Sequence, residues 1–428
     1  MHMDDHEELD GDGELNHPLP QDLMFDPWAS LSYRLLPAIT PILRQVLGEL
    51  GPRDRKPRAD LVAGIEAIVL AIIANLMVLH RDRPEGSRLV ISMERRTKTR
   101  YDRPSFRKLP EVVRVLAASG HIVLHPSTFK RFRTTIEATP SLRHLLAAAG
   151  ARLADIVRPP GEEVIHLTAR PSVRRIAGKK QPKELVDYAD TPESIRLRDE
   201  MEGINRFLAS HSVTLEGRDL PAFRLFRLFT LRQVNDPVHF NLHGRLYGGF
   251  WMSLKSTERQ HLRIDGEPIA DLDFASMFPN LAYRHVGAEP PAGDLYAVPG
   301  LEGYREGAKA GLSALLSYQA EMKSLPTRLK ALLPDGWTAT RLKGAFAHHH
   351  PDLVPLFGRD FGLDLMFTES RILLAALTRL MADEVPALPM HDGIMVPRSK
   401  SDLAVLAMEG AALDEIGFAL PVSIKSST

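Results

Sequence analysis

Two short stretches each carry an apolar run to an aspartate. One is Ile269-Ala270-Asp271-Leu272-Asp273-Phe274-Ala275-Ser276-Met277-Phe278-Pro279-Asn280; the other is Leu388-Pro389-Met390-His391-Asp392-Gly393-Ile394-Met395-Val396. Apolar runs of this length that stop at a tight turn read as strands, and a carboxylate at a strand end points its oxygens into a cleft. Two such carboxylates can hold a pair of Mg²⁺ ions roughly 3.5–4 Å apart for in-line phosphoryl displacement, and Mn²⁺ can substitute. Between them in the chain, Arg305 and Lys309 stand four residues apart in a helical stretch. That spacing puts both cations on one helix face.

Positioning these groups requires an α+β arrangement from residue 240 onward. The pattern predicts a strand over 269–274, a helix over 305–323, a long helix over 368–383 and a hairpin around His391. Two strands that meet at a turn, with one aspartate from each, make a palm. The full length of 428 residues predicts two or three units. Lys plus Arg balance Asp plus Glu at 54 each, which excludes a uniformly basic binder and leaves local asymmetry to decide phosphate contacts. With no cysteine there are no disulfides, zinc–thiolate sites or thiol nucleophiles.

Upstream, residues 1–22 are acidic and polar, a disordered tail that does not resemble a signal peptide. The apolar run 61–79 contains Glu66 and Asn75 and reads as a buried helix in preference to a membrane span, so the expected location is cytoplasmic. Residues 23–158 read as a mainly helical domain with a one-sided basic segment. Arg95, Arg96, Lys98, Arg100, Lys130, Arg131 and Arg133 are its candidate nucleic-acid contacts. Within it, a helix over 105–119, Gly120, a strand over 121–124 and a basic return fit a winged helix, and the same charges fit the solvated face of an ordinary helical domain. Residues 159–239 read as a basic linker followed by a charged, thumb-like helix over 191–210, opened by Thr191-Pro192-Glu193.

Residues 241–397 resemble the palm and fingers of a family A DNA polymerase in compact form, without a recognisable exonuclease domain. The resemblance rests on Gly244-Arg245-Leu246, Asp273-Phe274-Ala275-Ser276, the Arg305 and Lys309 pair and His391-Asp392, which occur in the family's order. Ala275 before Ser276, and Phe278-Pro279 after it, are closer to the family B form of that element. The resemblance implies a right-hand polymerase that adds dNTPs to the 3′ end of a DNA primer–template. It assigns metal binding to Asp273 and Asp392 with the Phe274 carbonyl, phosphate binding and proton donation to Lys309, and the γ-phosphate to Arg305. Arg245 and His391 fall to the primer end, and Phe278 to a steric gate against the ribose 2′-hydroxyl.

Three departures accompany it. Gly393 stands where the family has an acid, Ser313 and Ser317 stand where it has aromatics, and Tyr318 is one residue off register. Two other readings therefore stay open: primer-independent, template-free or RNA synthesis, and a catalytically decayed DNA-binding replication or regulatory protein. Elsewhere, Glu369 reads as a first-turn carboxylate suited to the helix dipole, Asp271 as a reserve ligand or a solvated turn carboxylate, and Tyr247 to Trp251 as core or as a stacking platform. The adjacent His348, His349 and His350 point in different directions, a poor zinc cage.

Overall fold

A computed structural model of the chain describes residues 22–52, 54–93, 99–127, 133–171, 175–176, 179–181, 183–218 and 220–425. Within them the protein is α+β and forms two compact units, residues 22–163 with 217–224, and residues 164–216 with 225–425.

The first unit contains β1 (Leu23–Met24), α1 (Leu36–Leu50), α2 (Ala59–Asp82), β2 (Leu89–Val90), α3 (Leu109–Ala118), β3 (Ile122–His125), β4 (Thr135–Ala138) and α4 (Pro140–Ala148). Helix α2 carries the apolar run. Among the described residues it alone is long and apolar enough to cross a membrane, yet 67% of its most apolar stretch is buried within the protein. A helix apolar on nearly all sides must be enclosed, and Ile65, Ile68, Ile72 and Leu76 pack with Ile39, Val46, Val112, Leu116 and Ile136 into one core. Its buried Asn75 is satisfied: the side chain accepts from the Asp26 N–H at 2.8 Å and donates to the Asp26 and Ala71 carbonyls.

The helix expected over 105–119 is a 3₁₀ turn, Pro104–Lys108, leading into α3, with Pro110 near the α3 start where a missing N–H does no harm. Gly120, at φ +72°, ends it. β3 and β4 then form an antiparallel pair, and the sheet order is β1-β2-β4-β3 with β1 parallel to β2. Of the expected nucleic-acid contacts, Arg100 pairs with Glu163 at 3.0 Å and Arg133 is exposed beside Met24. Arg95, Arg96, Lys98, Lys130 and Arg131 lie outside the described residues, as does the tail over 1–21.

Arg34 and Asp155 form a charge-assisted pair here, joined by the Arg152 N–H and the Ser32 hydroxyl. The Arg34 hydrogen bonds lead in holding the Asp155 carboxyl down at about 2. A depressed carboxylate contributes stability that is present above its unfolded pKa near 3.9 and lost as pH falls through about 2. Asp155→Asn is thus expected to destabilise this unit by about 1–2 kcal/mol at pH 7. In urea titrations its deficit against wild type should shrink between pH 4 and pH 2.

The second unit contains β5 (Ile165–Ala169), β6 (Glu184–Leu185), α5 (Pro192–Ala209), β7 (Val213–Leu215), β8 (Phe226–Leu231), β9 (His243–Tyr247), β10 (Leu262–Ile264), β11 (Glu267–Phe274), α6 (Met277–Val286), α7 (Arg305–Ser317), α8 (Ala339–His349), α9 (Gly362–Ala382), β12 (Leu388–Met390), β13 (Gly393–Pro397), α10 (Ser401–Ile416) and β14 (Val422–Lys425). One sheet has the order β6-β5-β8-β9. The other, six-stranded and antiparallel, runs β7-β10-β11-β13-β12, with β14 also pairing to β11.

The segment 159–239, expected as a basic linker followed by one helix, also contains the strands β5, β6, β7 and β8. Every residue of β5 and of β8 is buried, including the polar His166, Thr168, Arg227 and Thr230, and the nearby Lys and Arg dominate the composition of the segment. The helix expected at 191–210 is α5, with Thr191 as N-cap in a capping box with Ser194. Helix α7 stops at Ser317, short of the expected 323, and α9 begins at Gly362, ahead of the expected 368. Glu369 consequently lies inside α9 and fully buried, not in a first turn.

Candidate active site

Strand β11 alternates as a half-buried strand should: Ala270, Leu272 and Phe274 are buried, and Asp271 and Asp273 share the other face. It lies between β13 and β14, with Asp273 opposite Gly393 on one side and Ser423 on the other. At its end Ser276 takes a left-handed conformation, φ +51°, and turns the chain into α6. Strands β12 and β13 are joined by the two-residue loop His391-Asp392, which needs positive φ at its first position; His391 has φ +52°. The Phe274 N–H donates to the Asp392 carbonyl at 3.2 Å, which ties this loop to the end of β11. The two aspartates anticipated from sequence are thereby brought together.

Their electrostatics agree. Burial first, then the neighbouring Asp392 charge, raise the pKa of Asp273, while Lys425 and Lys309 pull it back. Lys425 Nζ lies 2.7 Å from Asp273 Oδ2 and 3.7 Å from Asp271 Oδ1. Burial works against the Lys425 charge, but the Asp273 hydrogen bond and the surrounding carboxylates raise its pKa overall. Asp271 sits mid-strand, half-buried between Lys425 and Arg259, whose Nε is 3.6 Å away, so it is no turn residue. Among the described residues no group of three or more His, Asp or Glu stands together as a metal cage. Two carboxylates are the donor set that suits Mg²⁺, which is commonly held by one or two protein carboxylates plus substrate phosphates.

Gly393 has a steric reason for being glycine. A Cβ there would fall 2.4 Å from Asp273 Oδ1 and 2.4 Å from the Leu272 carbonyl oxygen. An acid at this position would drive Asp273 out of place. Gly393→Ala is expected to cost about 1–3 kcal/mol by overpacking, and to reduce any Asp273-dependent activity at least tenfold. Thermal melts and initial rates on the same preparation check both.

Arg305 and Lys309 open α7 on a common face, and Lys309 is exposed. Arg305 donates to Asp294 at 2.8 and 3.2 Å, holding that carboxyl below its usual range, and its guanidinium lies 5.1 Å over the Tyr296 ring. Burial, then the Asp392 charge, push the Tyr296 phenol up. Ser317 packs against Gly362 of α9: a Cβ on that glycine would be 2.2 Å from the Ser317 hydroxyl, so an aromatic at 317 has no room.

Arg245, on β9, is buried, and its Nε and Nη2 donate to Glu369 at 2.6 and 2.9 Å. Its guanidinium lies 5.4 Å over Phe278, which packs with Leu242, Leu363 and Met366. Tyr247 meets the His391 ring edge-on at 6.3 Å. Trp251 is core: fully buried, it donates to the Pro389 carbonyl at 2.8 Å and so supports the strand leading to His391. In the histidine run, His350 is structural as well. His350 is fully buried, accepts from the Tyr283 hydroxyl at 3.0 Å and donates to the Leu295 carbonyl at 2.8 Å, next to Tyr296. A separate cleft of about 410 Å³ in this unit, lined by Arg196, Arg227, Phe240 and Arg371 among others, includes none of the aspartates.

Lys425 and Tyr296 were not singled out from sequence, and Glu369 was read there only as a helix-start carboxylate. A lone lysine near the chain end, a tyrosine in a loop and a glutamate in an apolar helix carry no motif; only the last, a charge in an apolar stripe, offered a signal. No family model matches the chain, and no curated protein matches it.

Proposed function

We propose that the second unit is a nucleotidyltransferase that extends a DNA primer on a template, with the six-stranded sheet as palm, α7 as the nucleotide-binding helix of the fingers and α5 as a thumb-like support. The observation that supports this best is the pairing of β11 with β13, which sets Asp273 against the His391–Asp392 loop. Asp273 and Asp392, with the Phe274 carbonyl, would hold Mg²⁺. When bound, the metal supplies positive charge against the transferring phosphoryl group and favours the alkoxide form of the primer 3′-hydroxyl.

The remaining work falls to side chains. Lys309 neutralises the α- and β-phosphates and gives a proton to the departing pyrophosphate; Arg305 exchanges Asp294 for the γ-phosphate. Arg245, held by Glu369, and His391 orient the primer end, and Phe278 excludes the 2′-hydroxyl. In the first unit, the α3–β3–β4 segment would act as a winged helix whose basic residues meet DNA phosphates.

Primer extension by the full chain with Mg²⁺ or Mn²⁺, on defined primer–templates and with each nucleotide separately, tests the reading. Incorporation that Asp392→Ala removes is expected. Salt-sensitive DNA binding with no incorporation under either metal would favour a non-catalytic replication or regulatory protein instead. The close packing of Ser317 on Gly362 favours a second reading, relaxed base selection with template-free or RNA synthesis, which the same assay detects as extension without template or with ribonucleotides.

A further inference from the structure

Asp273 presents one oxygen to each of its flanking strands. Oδ1 faces β13, in the space left by the missing Gly393 side chain, next to Asp392. Oδ2 faces β14, where Lys425 Nζ reaches it at 2.7 Å. Lys425 lies directly opposite Asp271 in the β11–β14 register, so its reach is set by strand pairing and not by a loose terminus. Its ammonium touches two carboxylates on one face, as a bound cation would.

We infer that the Lys425 ammonium takes the place of one of the two divalent ions expected from the sequence, so that the site holds a single divalent ion, at Asp273 Oδ1 and Asp392. The inference rests on the proposed metal role of those two aspartates. Charge supports it. Asp271, Asp273 and Asp392 bring three negative charges, and Arg259 and Lys425 bring two positive ones, so the cluster carries −1. One divalent ion takes it to +1. Two would take it to +3 before any phosphate arrives, with Lys309 adding its charge from the solvent side. Like charges at such separations repel strongly in a partly buried site, whereas a lysine in position is a cation that needs no recruitment.

The test is titration of the full chain with Mn²⁺ alone, followed by the electron paramagnetic resonance signal of free Mn²⁺. Wild type is expected to bind one ion, and Asp273→Asn to lose it. Lys425→Met is expected to bind two, and Lys425→Arg, which keeps the charge, to remain at one. Circular dichroism establishes that each variant is folded; should Lys425→Met not fold, Lys425→Gln is titrated in its place with the same expected count of two. Two ions on the wild type, or one ion on both wild type and a folded Lys425→Met, would overturn the inference while leaving the metal reading intact. No ion on the wild type that Asp273→Asn removes would overturn both.

Discussion

Asp273→Asn is expected to lower nucleotide incorporation by about 10³-fold or more, equivalent to about 4 kcal/mol of transition-state stabilisation, while DNA affinity changes by less than about twofold. The asymmetry follows from where each function lies. In the proposed mechanism Asp273 holds the reacting centre, and backbone affinity would come from cationic side chains elsewhere. Stability should move the other way. Burial and Asp392 both disfavour the Asp273 charge, so its folded pKa is raised. A carboxyl with a raised folded pKa contributes stability that is present below its unfolded value and lost as pH rises through the folded value. At neutral pH the neutral asparagine removes that penalty, set against the loss of the Lys425 contact, and the variant should melt no lower than wild type. An inactive variant that melts well below wild type and has lost DNA binding would indicate misfolding, and would leave Asp273 without the role assigned to it.

Glu369→Ala is expected to destabilise the second unit by about 3–5 kcal/mol, because it breaks a buried ion pair by removing one partner. Arg245 is buried and gives two donors to Glu369, and both lose their acceptor in the variant. Replacing both partners together, Arg245→Met with Glu369→Leu, should restore most of that stability, since neither charge then has to be desolvated. The double variant should still lose primer extension if Arg245 orients the primer end, which separates a positioning role from a purely structural one. The pair also carries a pH dependence. Burial leads in pushing the Glu369 carboxyl up, to about 7, with Asp392 and Asp273 adding to it and Arg245 opposing. Its contribution to stability is full below about 4.5 and is lost as pH rises through about 7. Against Glu369→Gln, a mimic of the protonated form, wild-type stability should therefore fall between pH 5 and pH 8 in urea titrations.

The sequence by itself determined the local parts: the strand bearing Asp273, the tight His391–Asp392 loop, the shared face of Arg305 and Lys309, the Thr191 cap of α5 and the buried helix α2. Each of these is written in a few consecutive residues, through side-chain alternation, helical spacing, capping chemistry or an unbroken apolar run. Other features were decided only by tertiary structure. The register of β11 against β13 and β14 explains Gly393, joins the two aspartates and brings Lys425 to Asp273. The union of Arg245 with Glu369, and the strands hidden in the basic segment 159–239, arise in the same way. Which strands pair, and which charge ends beside which, depends on residues far apart in the chain being desolvated together, and a one-dimensional pattern carries no record of that shared burial.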